Sequence, residues 1–250
     1  MIEFRNISKT FNKNSPNEVR ALENFSLEIG DGEFVILIGT NGSGKSTVLN
    51  LLSGTILPDE GTILLDQQNI TSLKEYERSK WIARIFQDPL AGTSPELTVL
   101  ENFRLASLRG KSKTLNIGTG KAFRSMVKEL VSSLGSELKL DSKLDQSMGS
   151  LSGGQRQALT LLMATMNNSK VLLLDEPAAA LDPKTAHRLM ELSERIILEN
   201  KLTAIMVTHQ VKDIIRYGSR VIQLIEGKQV RDMKGEDKAK LSAVEVVNWF

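Results

Sequence analysis

The sequence predicts an α/β protein whose strand-rich core is interrupted by a helical stretch. Three observations support this. Phe34-Val35-Ile36-Leu37-Ile38 is apolar at every position, as expected of a strand buried on both faces of a parallel sheet. From about Pro89 to Met166 the apolar spacing becomes helical between polar loops. From Val171 onward, strand and helix alternate again.

In chain order, Ile2 and Phe4 alternate with polar neighbours, and so do Phe25, Leu27 and Ile29, which gives half-buried β structure. Asp31-Gly32 supplies a turn before the Phe34–Ile38 strand. A glycine-rich loop follows, then helical character over 46–53, and further strands over 61–66 and 82–86. In the helical stretch, segments 99–108 and 123–134 are followed by a helix opening after Ser152. Val171 to Leu174 is again a strand. Asp182-Pro183 reads as an N-cap followed by proline at the first helical position, where its missing N–H is not needed. Leu189, Leu192, Ile196 and Ile197 mark the apolar face of that helix. Strands over 203–207 and 220–225 lead to a turn at Glu226-Gly227. There is no internal repeat.

The 250 residues are 40% hydrophobic and 25% charged, enough for a sizeable buried core. A net charge of +2, from 32 basic and 30 acidic residues, is too balanced for nucleic acid to be a main partner, and none is expected. With no cysteine, disulfides and thiolate metal sites are excluded, which fits a reducing compartment. No stretch approaches the roughly 18–20 apolar residues that cross a bilayer, and the first residues do not read as a secretory signal.

Three motifs carry chemistry. Gly39-Thr40-Asn41-Gly42-Ser43-Gly44-Lys45-Ser46-Thr47 follows a strand and opens a helix. That is the context in which such a loop cradles phosphates: glycines let backbone N–H groups converge, and the helix start adds its positive end. Lys45 would reach the β- and γ-phosphates, and Ser46 would bind Mg²⁺ through oxygen. Val171 to Leu174 delivers Asp175 and Glu176 to the carboxyl edge of a parallel sheet, where ligands bind in open α/β folds. Asp175 suits Mg²⁺, and Glu176 suits activation of an attacking water. Between them lies Leu151-Ser152-Gly153-Gly154-Gln155, a helix start with exposed N–H groups. Read alone, it is an ordinary N-cap.

Phosphate loop, glycine-bearing helix start and acidic strand end, in that order and over nearly the full chain, resemble the ATP-binding-cassette (ABC) ATPases. The resemblance implies a P-loop NTPase core of the ABC type with an N-terminal antiparallel β subdomain and an inserted helical subdomain. It implies a single domain over 1–250, with 1–87 and 167–250 forming the nucleotide-binding core and 88–166 the helical part that carries the signature. Ser152, Gly153, Gly154 and Gln155 would then complete the ATP site of a second copy in a head-to-tail homodimer. Gln87 matches the family's hinge glutamine, approaching Mg²⁺ and the attacking water. His209 matches the switch histidine that contacts the γ-phosphate and orients Glu176. Phe11 matches the aromatic residue that stacks on adenine, with core packing as its other reading. Ala179 stands where the family more often has serine, which removes a hydroxyl from the dimer contact. His187, on a polar helix face, has no assigned role.

By the same resemblance, the chain is expected to be a cytoplasmic ATPase subunit on the inner face of the membrane. It would drive separate integral membrane permease subunits, best fitting an importer with an extracytoplasmic substrate-binding protein. Asp88 to Thr93 and Ser152 to Thr165 look like a branch linked to aromatic amino acids, and Pro89 to Pro95 falls where such ATPases receive a short helix from the membrane partner. The basic run from Arg109 to Lys128 reads as a solvated loop, with anionic lipid as its alternative. A soluble iron–sulfur-assembly ATPase is the alternative function. A phosphate-loop kinase is a third reading, though it leaves the signature segment unused.

Overall fold

A computed structural model describes residues 1–109, 118–134, 140–167 and 169–249. Two sheets carry the chain. The first is antiparallel, in the order β2-β1-β4-β5, built from β1 (Ile2–Phe11), β2 (Val19–Ile29), β4 (Glu60–Leu65) and β5 (Gln68–Asn69). Ile2 faces Ile29 across one ladder and Leu65 across the other, so the alternating apolar residues of these strands share one face.

The second sheet has the order β10-β9-β3-β8-β7-β6. It comprises β3 (Phe34–Ile38), β6 (Ile82–Ile85), β7 (Val171–Asp175), β8 (Thr203–Val207), β9 (Arg220–Ile225) and β10 (Lys228–Lys234). β6, β7, β8, β3 and β9 run parallel, and β10 folds back against β9 after the Glu226-Gly227 turn. All five parallel strands therefore end at the same edge. Every residue of β3 and β8 is buried, the pattern required of central strands covered on both faces.

Helix α1 (Lys45–Ser53) packs on one side of this sheet with the antiparallel sheet, sharing a core of Phe4, Phe25, Leu37, Leu49 and Leu52. On the other side lie α3 (Val99–Ser107), α4 (Lys121–Ser132), α5 (Gly153–Thr165) and α6 (Pro183–Glu199), whose apolar faces join Ile36, Ile38 and Leu174 in a second core. Capping is explicit. Thr98 and Ser152 each close a capping box with Glu101 and Gln155, and Asp182 accepts from the Thr185 N–H with Pro183 at the first helical position.

Short elements escape periodicity: β5, α2 (Glu75–Arg78), α7 (Val211–Arg216), α8 (Glu236–Ala239) and α9 (Ala243–Val247). α2 exists for one side chain. Arg78 is fully buried and donates to the carbonyls of Leu51, Leu52, Thr71 and Leu73, which holds the end of α1. Burial pulls its pKa down to about 10, so it stays charged near neutrality. In the basic run, Lys121, Arg124 and Lys128 are exposed on α4, and Arg109 departs from the solvated reading. Arg109 donates to the Met163 and Ala164 carbonyls at the end of α5, and Arg124 pairs with Asp145. Lys111 and Lys113 lie outside the described residues.

Candidate functional site

The site forms where the parallel strands end. β3 runs straight into Gly39–Gly44, and α1 starts at Lys45. The loop's backbone explains its glycines. Gly39 has φ +148°, and a Cβ there would stand 2.2 Å from the Leu224 carbonyl oxygen. Gly44 has φ +101° and presses on the Ala21 carbonyl of β2. Gly42 has φ +81° with open space beside it, and Thr40, Asn41, Gly42 and Ser46 are exposed while Thr47 is half-buried. The rim thus offers bare backbone to solvent, the arrangement that admits phosphate oxygens.

Lys45 is 6% exposed and donates to the Gly39 and Thr40 carbonyls, both at 2.8 Å. Burial lowers its pKa, against the opposing pull of the Glu176 and Asp175 carboxylates that face it. Asp175 ends β7, and Glu176 follows in left-handed backbone at φ +46°. The Glu176 N–H is held by the Val207 carbonyl at the end of β8. Two residues further on, His209 Nε2 lies 3.3 Å from Glu176 Oε1. A cavity of about 150 Å³ lined by Glu176, Ala179, Thr208, His209 and Asp213 adjoins this pair, ample for water beside the carboxylate. Gln87 is exposed, two residues beyond the end of β6.

The structure therefore brings Gly39–Thr47, Gln87, Asp175, Glu176 and His209 to one sheet edge. Phe11 is placed differently. It is half-buried at the end of β1, opposite Val19, with the Lys9 ammonium 5.7 Å from its ring. β2 is the strand whose Ala21 and Leu22 touch Gly44, so Phe11 sits on the strand pair that flanks the loop. The signature segment has other neighbours. The atoms closest to a Cβ on Gly153 belong to Leu181 and Pro89, and on Gly154 to Thr185, whose Cγ2 would be 2.1 Å away. Ser152 Oγ accepts from the Gln155 N–H at 3.3 Å, so the segment is a true N-cap.

Two residues escaped sequence reasoning. Arg84 of β6 donates to Asp175 Oδ2 at 2.7 Å and to Asn50 Oδ1 of α1 at 2.6 Å, so one Asp175 oxygen is already engaged. Gln157, buried in α5, donates to backbone carbonyls beside Gln87 and Glu176. No motif marks Arg84, and Gln157, though inside the Ser152–Thr165 stretch, has no role legible there, because both depend on neighbours far away in sequence.

Among the described residues, no group of three or more His, Asp or Glu side chains could hold a metal ion. The fitting donors are hard oxygens: the Ser46 hydroxyl, the Asp175 carboxylate and the Gln87 amide oxygen. This set suits Mg²⁺ completed by water and phosphate oxygens. Also among the described residues, no helix is long and apolar enough to cross a membrane.

Comparison with known proteins agrees with this geometry. Residues 22–179 match the family described as ABC transporter. A tyrosine transport ATP-binding protein of Clostridioides difficile is 44% identical over 253 residues, covering 100% of this chain and 98% of the relative. A putative hemin import ATP-binding protein of Staphylococcus epidermidis is 34% identical, covering 90% of this chain and 96% of the relative. Among solved structures, the dimeric post-hydrolysis state of the cassette MJ0796 of Methanocaldococcus jannaschii, bound to ADP and Pi, superposes with a TM-score of 0.78. It is 31% identical and covers 94% of this chain and 98% of its own.

Proposed function

Because this chain belongs to the ABC transporter family, we infer that its sheet edge is one half of a composite ATPase site. The chain is the ATP-binding, ATP-hydrolysing subunit of an ABC transporter, working as a dimer with separate membrane subunits. The transport relatives do not favour the iron–sulfur-assembly alternative. One observation carries the catalytic reading: His209 Nε2 at 3.3 Å from Glu176 Oε1, beside a cavity at the end of β7.

In this reading Gly39 through Gly44 present backbone N–H groups to the phosphates, with Thr47 beside them at the start of α1. Lys45 exchanges its loop carbonyls for β- and γ-phosphate oxygens, and its charge offsets that of the leaving phosphate. Glu176 accepts the proton of the attacking water, and His209 fixes the carboxylate's orientation. Mg²⁺, when bound, would neutralise phosphate charge. Ser46, Gln87 and Asp175 would hold it. Phe11 stacks on the adenine ring. Ser152, Gly153, Gly154 and Gln155 face the γ-phosphate of the other copy, since the atoms nearest Gly153 and Gly154 belong to Leu181, Pro89 and Thr185 and none to the chain's own phosphate loop.

The 44% relative directs the substrate proposal to an aromatic amino acid such as tyrosine, taken up with the help of an extracytoplasmic binding protein. The ATPase then sits on the cytoplasmic face of the membrane. Pro89 to Pro95 would receive the membrane partner, beside a cavity of about 250 Å³ lined by Arg84, Gly92, Asn102, Leu105, Arg109 and Thr160.

The test is phosphate release by the purified chain. Mg²⁺-ATP turnover that rises more than linearly with protein concentration is expected. Ser152→Arg should abolish turnover while ATP binding to the monomer persists. Linear turnover, or an indifferent Ser152→Arg, sinks the shared site. Reconstitution with the membrane subunits, and competition among amino acids for uptake, tests the substrate.

A further inference from the structure

Gln157 is 1% exposed, in the second turn of α5, two residues beyond the signature segment. Its Nε2 donates to the Phe86 carbonyl at 2.9 Å and to the Pro177 carbonyl at 3.1 Å. The amide's orientation is dictated by chemistry, since the reverse flip would set its oxygen against two carbonyl oxygens. Phe86 is the residue before Gln87, and Pro177 the residue after Glu176. One side chain of α5 therefore holds the backbones of both segments that carry the reacting groups.

Packing does not explain this choice of residue. The Gln157 Oε1 atom is buried with no hydrogen-bond partner. A buried, unpaired amide oxygen is destabilising, and an apolar side chain of the same length would avoid the penalty. Both groups the amide holds are main-chain carbonyls, one adjoining Gln87 and the other adjoining Glu176. The alanine beside it, Ala158, is also buried and places no polar group there.

We propose that Gln157 is a positioning residue for ATP hydrolysis, tying the signature helix to the Phe86–Gln87 and Glu176–Pro177 backbones at once. It acts through the two carbonyls it holds. It sets the separation of Gln87 and Glu176 and makes that separation depend on where α5 sits. A displacement of α5, whose N-terminus meets the second copy, thus reaches both groups through two hydrogen bonds. This rests on the catalytic reading of Glu176 and Gln87 given above.

The experiment compares the full-length protein with Gln157→Leu, which keeps the volume and removes both donors. Steady-state Mg²⁺-ATP hydrolysis and backbone hydrogen exchange are measured on each. The expected result is a kcat lowered about tenfold or more, with KM for ATP within about twofold. Amide exchange should accelerate in peptides covering 86–88 and 177–179 while β3 and α1 exchange as before. A residue that served only to fill space would leave kcat per folded molecule unchanged, and that result overturns the proposal. So does a kcat loss with unchanged exchange at both segments. Should Gln157→Leu fail to fold, Gln157→Met, which keeps the length of the side chain and has no donor hydrogen, faces the same two criteria. If the parent protein hydrolyses no ATP and Glu176→Gln makes no difference, the underlying reading fails. If the parent is active and Gln157→Leu matches it, only the present inference does.

Discussion

The Arg84 guanidinium bridges two elements of the site, 2.7 Å from Asp175 Oδ2 on β7 and 2.6 Å from Asn50 Oδ1 on α1. Both charged side chains are largely buried, at 11% and 19% exposure. Arg84→Ala removes a charge-assisted bond in that setting and leaves the Asp175 carboxylate without its partner. A loss of about 1.5–3 kcal/mol in unfolding free energy is expected, read from the denaturant midpoint. Arg84→Lys should recover part of it, because an ammonium keeps the charge and loses the fork that reaches Asn50 as well. Equal losses for the two variants would contradict the bridging role.

Glu176→Gln keeps the size of the side chain and removes its basicity. Turnover should fall by about 10²-fold or more, and the ATP-bound dimer should accumulate on a sizing column. His209→Ala, which removes the contact at 3.3 Å, should fall short of that loss, since the base itself remains. A His209 variant more damaged than Glu176→Gln would reverse the assigned roles.

Gly154 lies so close to α6 that a Cβ would meet Thr185 Cγ2 at 2.1 Å. Gly154→Ala should therefore destabilise the protein by about 1–3 kcal/mol through overpacking. Thr185→Ser deletes that methyl group and should restore most of the loss in the double variant. A double-mutant cycle with no coupling would show that α5 and α6 adjust independently.

Asp213, 6% exposed and lining the cavity beside Glu176, has its carboxyl pKa raised by burial. The folded protein then holds this proton more tightly than the unfolded chain. That contribution is complete below the ordinary carboxylate value of about 4 and is lost as pH rises through the raised folded value. Asp213→Asn needs no proton, so it should be more stable than the parent at neutral pH and nearly equal to it near pH about 4. Unfolding curves at the two pH values decide this, and a parallel offset at both would exclude titration as the cause.

What the sequence reveals follows from where each signal is stored. Phe34–Ile38, Val171–Leu174 and 203–207 announce themselves because a central strand must be apolar on both faces. Gly39–Thr47 and Asp175-Glu176 are legible because their spacing and context are local. Asp182-Pro183 and Ser152 through Gln155 are legible as helix starts for the same reason. Arg78, Arg84, Arg109 and Gln157 are not. Each is an unremarkable polar letter whose meaning comes from carbonyls or carboxylates contributed by segments distant in the chain. The basic run divides on this point: Lys121, Arg124 and Lys128 face solvent as charge density suggests, whereas Arg109 caps the end of α5.

Glu176 occupies left-handed backbone at φ +46°, where a side chain with a Cβ is disfavoured by roughly 1–2 kcal/mol. Glycine would relieve that tension and, on the proposed role of Glu176, remove the base in the same stroke. If Glu176 is the base proposed above, selection for robustness alone would drift toward a sturdier, inert molecule. A heat-tolerance screen of variants at this one codon should rank glycine above the parent while every survivor of a transport screen retains the acid.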